Sequence, residues 1–241
     1  MPVLSALIPS IRERVSEMLQ LLYPQVCAGC GSDLVEKNRP VCPRCFLELP
    51  ETGFASLPGN PVEKIFYGRL ALVAAHSAYY FSKDSVLQSL IHRLKYRGDQ
   101  SVGEFLGWRL GESLLESGRF ADVDAIIPMP LFPSKERQRG YNQAAVIAKG
   151  VSEAMGLPVM MNGLVRRRPT ETQTRKQRTD RWLNVEGSFE APRPELLHGK
   201  HLLLVDDVVT TGASLEAAGR VLAAIPGVRL SVATIALASK S

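Results

Sequence analysis

The sequence has few cysteines and no long hydrophobic run. Its four cysteines all lie between residues 27 and 45, and no apolar stretch approaches the roughly 20 residues needed to cross a bilayer. The first residues lack a charged start, an unbroken apolar core and a cleavage site, as a secretory signal would have. We therefore predict a cytoplasmic protein without membrane insertion. The formal net charge of +5 is mild for 241 residues and suggests anionic ligands or nucleic acid without establishing either.

The chain length allows one large domain with a small extension. We predict that residues 1–60 hold an N-terminal helix, a metal-binding module and a linker rich in Pro, Gly and Ser from Leu49 to Pro61. The helix has an apolar face between Ile11 and Leu22, and it is expected to dock on the body of the protein because acidic residues share its polar face. Residues 61–241 are predicted to form the larger domain.

The cysteines form two Cys-x-x-Cys pairs separated by eleven residues. This spacing predicts a tetrahedral zinc site with four thiolate ligands, Cys27, Cys30, Cys42 and Cys45. Two disulfides or a redox pair remain alternatives, although a reducing cytosol disfavours disulfides and a redox motif needs only one pair. With four ligands and no open position, the zinc would be structural.

A strand that runs into two carboxylates is the central feature of the sequence. Leu202 to Val205 are four consecutive apolar residues, typical of a strand buried on both faces of a parallel sheet, and Asp206 and Asp207 follow directly. Small and hydroxyl-bearing residues then lead into a segment with helical spacing from Leu215 to Leu222. We predict a strand, a tight loop and a helix N-terminus. The loop consists of Val208, Val209, Thr210, Thr211, Gly212, Ala213 and Ser214.

Such a loop is suited to bind a phosphate. Its backbone N–H groups and the positive end of the helix dipole attract anions, and Thr210, Thr211 and Ser214 add donors. Asp206 and Asp207 would repel the phosphate, so we expect them to accept hydrogen bonds from sugar hydroxyls or to help hold a phosphate-bound Mg²⁺. The Gly-Lys-Ser/Thr ending of a Walker loop is absent. The alternative is an ordinary connection in which an aspartate caps the helix.

A helix with basic residues at its end is predicted earlier in the chain. Its apolar positions run from Val86 to Leu94, and Gly98 is a good C-terminal stop. The last turn carries four basic residues: His92, Arg93, Lys95 and Arg97. Cations at this position compensate the helix dipole. We predict that Lys95 in addition contacts an anionic ligand.

A basic loop is predicted after a second buried strand. The strand, Val123 to Pro130, is broken by two prolines, which cannot continue a central ladder. The loop that follows includes Met129, Pro130, Leu131, Lys135, Arg137 and Arg139, before a predicted helix from Tyr141 to Met155. Loops at the carboxyl ends of parallel strands bind ligands in open α/β sheets, so this loop is expected to meet the far anionic end of the same ligand.

The most basic stretch lies between residues 166 and 181. It contains Arg166, Arg167, Arg168, Arg175, Lys176, Arg178 and Arg181, with Gln173 among them. Such charge runs are usually solvated surfaces. Here the segment is a candidate lid that closes over a polyanion, with Gln173, Lys176 and Arg181 as contact residues. Trp182 offers either a stacking face for a base or an anchor to the core.

The loop from Asp206 to Ser214 resembles the phosphoribosyl pyrophosphate (PRPP) loop of type I phosphoribosyltransferases. In that family the two acidic residues contact the ribose hydroxyls and the Thr-Thr-Gly turn holds the 5-phosphate. Along essentially its whole length the chain resembles the ComF family of competence proteins. The matching features are the four cysteines, residues 94–99, residues 127–130, residues 139–143, the trio Gln173, Arg181 and Asn184, and the PRPP loop.

The resemblance implies a type I phosphoribosyltransferase fold, with a central parallel sheet flanked by helices and a zinc-binding extension. It implies PRPP and Mg²⁺ as ligands. It also implies a role in natural transformation, acting on incoming single-stranded DNA in the cytoplasm beside a competence helicase.

Three functional hypotheses follow. The first is a Mg²⁺-dependent transferase in which Lys95, the loop after Met129 and the segment from Gln173 to Arg181 stabilise the departing pyrophosphate. The second is a nucleic-acid-binding module that senses PRPP without chemistry. The third is a salvage or regulatory phosphoribosyltransferase that acts on a free base. The sequence does not disclose the acceptor.

Overall fold

A computed structural model describes residues 26–33, 39–167 and 188–238. Four parallel strands form the main sheet, and a separate antiparallel pair joins two short strands. The strands are β1 (Ala75–Phe81), β2 (Ala125–Pro128), β3 (Val165–Arg166), β4 (Phe189–Glu190), β5 (His201–Val209) and β6 (Arg229–Ala238). The main sheet has the order β1-β6-β5-β2, so the predicted parallel sheet is confirmed and β5 lies inside it.

Helices cover both faces of this sheet. They are α1 (Pro43–Leu47), α2 (Pro61–Phe66), α3 (Val86–Tyr96), α4 (Gln100–Ser117), α5 (Pro133–Arg139), α6 (Gln143–Met155) and α7 (Ala213–Ala223), with short 3-10 turns at Phe54–Ser56 and Pro194–Leu196. Leu203 of β5 packs in one apolar cluster with residues of α3, α4 and α6. Its neighbour Leu204 packs in a second cluster with residues of α2 and α7. Successive β5 residues therefore point to opposite buried faces.

Helices α4 and α6 pack at unusually short range. A Cβ atom on Gly107 would lie 2.1 Å from the carbonyl oxygen of Ile147, and one on Gly150 would lie 2.1 Å from that of Glu104. Only glycine fits at these crossing points, and the close contact fixes α6 against the sheet.

The structure differs from the predicted elements in two instructive places. Strand β5 does not end at the aspartates but runs to Val209, because β6 continues beside it and pairs with Asp206 through Thr234 and with Val208 through Ala236. The predicted basic loop after β2 is partly helical: α5 begins at Pro133, which suits a first helical turn, and ends at Gly140 with φ of 82°.

The cysteine module and the segment after it pack on the body of the protein. Cys27, Cys42 and Cys45 are buried in the same apolar cluster as Leu87 and Leu90 of α3. Asn60 caps α2 and its Nδ2 donates to the carbonyl oxygen of Ala75 in β1 over 2.8 Å. The domain boundary after residue 60 stays a prediction. Within the described ranges, no helix combines the length and the hydropathy that a bilayer-crossing segment requires.

Candidate functional site

The ends of β2, β5 and α3 converge on the two aspartates. The backbone N–H of Met129 donates to the carbonyl oxygen of Val205 over 2.8 Å, which places the loop after β2 directly beside Asp206. Lys95, at the end of α3, forms an ion pair of 2.8 Å between its Nζ and Oδ2 of Asp207. Three segments that the sequence singles out separately therefore meet at one edge of the sheet.

Asp206 is held in a low-polarity position. Burial and the neighbouring charge of Asp207 raise the pKa of Asp206 to about 7, although the backbone N–H of Asp207 donates to its Oδ1 over 2.8 Å. Near neutral pH this carboxyl group is therefore only partly ionised. Asp207 keeps a direct cationic partner in Lys95. The two aspartates are adjacent in sequence but have different environments.

The turn before α7 leaves the helix N-terminus open. Gly212 is the N-cap residue with φ of 73°, so it offers no capping side chain to the first turn. The alternative in which an aspartate caps this helix is therefore wrong. The first N–H groups of an uncapped helix attract an anion. Thr210, Thr211 and Ser214 are exposed around this helix end, as a phosphate site requires.

Arg69, which follows α2 in the sequence, contacts the turn before α7. Its Nη1 donates to the carbonyl oxygens of Thr211 over 2.9 Å and Ile65 over 3.0 Å, and its Nη2 pairs with Glu216 in α7. No motif in the sequence singles out Arg69. Because 142 residues separate Arg69 from Thr211, no local pattern could have revealed the contact.

The junction between α5 and α6 ties the loop after β2 to α3. The hydroxyl of Tyr141 donates to the carbonyl oxygen of Leu94, the residue before Lys95. Asn142 caps α6 through its Oδ1, and its Nδ2 donates to the carbonyl oxygen of Met129 over 2.9 Å. These bonds fix the relative positions of Lys95 and Met129.

The remaining predicted contact residues fall into three groups. Pro130 and Leu131 are half-buried beside the site, and Arg137 is exposed on α5. Arg139 donates to Oε1 of Gln143 over 2.6 Å and lies 5.6 Å from the ring centroid of Tyr96. A third set lies outside the described residues: Gln173, Lys176 and Arg181, together with Trp182 and the helix predicted between Ile11 and Leu22.

Arg166 lies beside the loop after β2, although the sequence distinguishes it only as one residue of a basic stretch. Its guanidinium carbon lies 3.8 Å from the ring centroid of Phe132 and 5.0 Å from that of Phe189. Burial lowers the pKa of Arg166, and the negative charge of Asp206 opposes this shift. Arg166 also lines a cavity of about 610 Å³ beside the loop after β2. The two aromatic partners are far apart in sequence, so their shared contact was not predictable.

The four cysteines are grouped as a metal site requires. Their Sγ atoms all lie within 4.8 Å of one another, and those of Cys30 and Cys42 are 3.8 Å apart, the separation expected of two ligands about 2.3 Å from a tetrahedral zinc. Burial would raise the pKa of Cys27, but backbone N–H groups that donate to its sulfur, including that of Cys42 over 3.3 Å, lower it to about 6. These N–H groups favour a thiolate, so the residues fit a bound zinc ion.

Comparisons with known proteins agree with this geometry. Residues 142–241, which include β5, its loop and α7, match the phosphoribosyl transferase domain. The chain is 28% identical over 201 residues to Competence protein F of Haemophilus influenzae, covering 82% of this chain and 83% of that protein. It is 28% identical over 207 residues to Competence protein ComFC of Bacillus subtilis, covering 85% and 81%.

A third relative carries a different name. The chain is 28% identical over 195 residues to the DNA utilization protein YhgH of Escherichia coli K12, covering 79% of this chain and 80% of that protein. With the parallel sheet and its flanking helices, the matched domain confirms the phosphoribosyltransferase fold with an N-terminal four-cysteine extension. The resemblance to the ComF family is confirmed as well, since the chain is a homologue of the competence proteins F and ComFC.

Proposed function

We propose that the chain binds PRPP together with Mg²⁺ at the carboxyl ends of β2 and β5 and transfers the phosphoribosyl group to an acceptor. The observation that carries this proposal is the meeting of Lys95, Asp207 and the loop after β2 beside an uncapped helix N-terminus. A sugar that bears phosphate at one end and pyrophosphate at the other matches this arrangement, in which the aspartates lie between the helix N-terminus and Lys95. The match of residues 142–241 to the phosphoribosyl transferase domain supports the proposal.

Each part of the ligand has a proposed partner. The N–H groups at the start of α7, with Thr210, Thr211 and Ser214, hold the 5-phosphate. Asp206 and Asp207 accept hydrogen bonds from the ribose hydroxyls. Lys95, Arg137 and Arg139 meet the pyrophosphate. We further propose that Gln173, Lys176 and Arg181 close over it.

Mg²⁺ fits this site as a companion of the ligand. The two aspartates offer few protein ligands, and Mg²⁺ is commonly held by one or two carboxylates, waters and substrate phosphates. When bound, it would neutralise charge on the pyrophosphate. The transfer breaks the bond between ribose C1 and the pyrophosphate oxygen, and pyrophosphate leaves with the bonding electrons. The acceptor forms the new bond to C1, and its proton passes to solvent.

Calorimetric titration with PRPP and Mg²⁺ tests the binding site. The wild-type chain should bind, and an Asp206→Ala, Asp207→Ala double variant should lose most of its affinity. A Glu116→Ala, Glu195→Ala double variant removes two exposed carboxylates elsewhere and serves as the charge-matched control. Equal affinity in all three proteins would show that the site is assigned wrongly.

A role in DNA uptake is the second part of the proposal. Two relatives are named competence proteins and a third is named for DNA utilization. We propose that this chain likewise acts in natural transformation, in the cytoplasm, on single-stranded DNA and beside a competence helicase. A polar groove of about 510 Å³ between the cysteine module and α3 supports DNA binding, because the basic residues His92, Arg93 and Arg97 that line it outnumber its one carboxylate, Asp84.

Three candidate functions of this site make different predictions. Transfer chemistry requires pyrophosphate release when PRPP, Mg²⁺ and an acceptor are combined. A sensor without chemistry binds PRPP and DNA but releases none. A salvage enzyme releases pyrophosphate with a free base and does not need DNA. An assay of pyrophosphate with free bases and with short single-stranded DNA separates these three functions.

We also propose that the four cysteines hold one structural Zn²⁺. Their 3.8 Å sulfur separation and the N–H donors to Cys27 support this. The module is short, and the metal would stabilise a segment that has little apolar core of its own.

A further inference from the structure

Arg166 is a partly buried, charged side chain without a direct ionic partner in the described part of the protein. Its Nε is buried without a hydrogen-bond partner, and no carboxylate among the described residues forms an ion pair with it. Arg69 and Arg119, by comparison, each pair with a glutamate. A partly buried guanidinium without a counter-ion is costly, so its retention needs another explanation.

The aromatic neighbours hold this guanidinium in place. Phe132 comes from the loop after β2 and Phe189 from β4, and the group lies over both rings. Contacts of this kind stabilise the cation through the ring faces and leave the N–H donors at its edge unused. A fixed, planar fork of donors matches the geometry of a carboxylate or a phosphate.

The same side chain connects a cavity to the proposed ribose site. Arg166 lines the cavity of about 610 Å³ together with Pro130 and Leu131. The other charged residues of its lining are Glu104 and Lys149, which pair with each other, and Glu136. This volume is typical of pockets for small molecules. The cavity also lies beside β5, because its lining residue Pro128 pairs with Val205, the residue before Asp206. A ligand in this cavity would therefore lie next to a ribose held by Asp206.

We infer that this cavity is the acceptor subsite, and that the acceptor carries a carboxylate or phosphate group that Arg166 binds. The inference rests on the proposed function, because an acceptor subsite has meaning only beside a phosphoribosyl donor. The anions of PRPP already have partners in the helix N-terminus, Lys95 and α5. A neutral base would leave Arg166 without a direct ionic partner, whereas an anionic acceptor would supply one.

Matched probes test whether an anionic group is recognised. Orotate and uracil share a pyrimidine ring and differ by one carboxylate, and a four-residue thymidine oligonucleotide differs from thymidine by its phosphodiesters. In calorimetry we expect the wild-type chain, with Mg²⁺ present, to bind one of the two anionic probes at least about tenfold more tightly than its neutral counterpart. The pair that shows this preference identifies the source, a small carboxylate or a nucleic acid.

Variants of Arg166 test the residue. Arg166→Gln should abolish the preference and leave PRPP affinity within about twofold of wild type, while Arg166→Lys, which keeps the charge without the fork, should retain part of it. Arg193→Gln removes an exposed arginine and should change neither. Thermal melting of each variant shows whether it is folded. If Arg166→Gln does not fold, Arg166→Lys still tests the role of the guanidinium.

The outcomes separate this inference from the proposed function. A wild-type chain without any anion preference, or a preference that survives Arg166→Gln, overturns the inference. A large loss of PRPP affinity in Arg166→Gln also overturns it, because the guanidinium would then belong to the donor site. If the wild-type chain fails to bind PRPP but shows an Arg166-dependent preference, the anion subsite stands and the proposed function fails.

Discussion

Lys95 and Asp207 form an ion pair of 2.8 Å across the candidate site, although 112 positions separate them in sequence. Both side chains are largely shielded, with 23% and 15% of their side-chain surfaces exposed. The pair places a cation from α3 against a carboxylate from β5, where the two could share a ligand between them. A pyrophosphate oxygen would compete with Asp207 for Nζ of Lys95, so the pair orients the lysine before the ligand binds.

Replacement of this lysine should weaken donor binding. Lys95→Met removes one charged contact to the pyrophosphate, which corresponds to about 1.5–3 kcal/mol or roughly a 10- to 100-fold loss of PRPP affinity. Calorimetry with Mg²⁺ measures this change. Lys200→Gln, a half-buried lysine at the opposite end of β5, is the control and should bind normally. Unchanged affinity in Lys95→Met would remove Lys95 from the site.

The ionised carboxylate of Asp206 should lower the free energy of unfolding at neutral pH. Its pKa is raised to about 7 by burial and by Asp207, whereas an unfolded aspartate titrates near about 3.9. The folded state therefore favours the protonated form, and its stability falls as the pH rises from about 4 to about 7 and is then constant. Asp206→Asn should raise the free energy of unfolding by about 1–3 kcal/mol at pH 8 and by less at pH 5.

Urea unfolding at both pH values, with a chelator of Mg²⁺ present, measures this difference. Asp84→Asn is the control, because Asp84 is exposed and its positive φ of 57° is tolerated by asparagine. A destabilised Asp206→Asn variant at pH 8 would show that the buried charge is compensated. A stabilised variant that binds PRPP weakly would show that the site trades stability for function.

Gly212 should be irreplaceable in the turn before α7. Its φ is 73°, and a Cβ atom there would lie 2.7 Å from Cγ2 of Ile65 and 2.9 Å from Cε1 of Phe66. Gly118 has φ of 67° with nothing near a Cβ atom. Gly118→Ala should therefore cost only the backbone strain of about 1 kcal/mol, and Gly212→Ala should cost at least about 1 kcal/mol more because of the clash. Thermal unfolding of the two variants measures the difference.

The parts of the site that follow one another along the chain were predictable. The apolar run before Asp206 has the composition of a buried strand, and the small residues after Asp207 predict the turn and α7. The full length of β5 was not predictable from the sequence, because its last residues pair with β6, which continues beside them. The helix α5 was also missed, since charged residues outweighed the signals of Pro133 and Gly140.

Contacts between distant segments could not be derived from local patterns. The carbonyl oxygen of Thr211 accepts from Arg69, and Arg166 lies over Phe132 and Phe189. Each contact depends on how three or more elements pack around the sheet. Arg166 was singled out only as one of several arginines in a charged run. Its burial and its aromatic partners, which distinguish it from Arg167, appear only in the structure.

Metal removal should destabilise the cysteine module. One zinc ion per chain is expected in elemental analysis, and Cys42→Ser should abolish it. Because a Cβ on Gly29 would lie 3.0 Å from Cγ1 of Val86, the module packs tightly on α3, and metal loss should lower the melting temperature of the whole chain. Four titratable thiols after chelation and denaturation are expected. Two disulfides and no zinc would contradict the metal site.

Tyr96 should contribute to binding of single-stranded DNA. Its side chain is 66% exposed at the end of α3, with the ring of His92 4.9 Å away and Arg139 over its face. An exposed ring beside cations is a platform on which a base can stack, worth about 1–3 kcal/mol per base. Tyr96→Ala should therefore weaken binding of a short thymidine oligonucleotide by roughly 5- to 100-fold. Tyr67→Ala, which removes a ring that is 61% exposed on a different surface, should not.

The charges of the neighbouring groove should set the salt dependence of the same binding. In an Arg93→Gln, Arg97→Gln variant, the slope of log affinity against log salt should become shallower by about 1 to 2, because fewer counterions are released from the DNA. Tyr96→Ala should leave that slope unchanged, since stacking releases none. Fluorescence anisotropy at several salt concentrations measures both effects. If the arginine variant keeps the wild-type slope while Tyr96→Ala still weakens binding, the bases stack on α3 but the DNA backbone follows a different path across the protein.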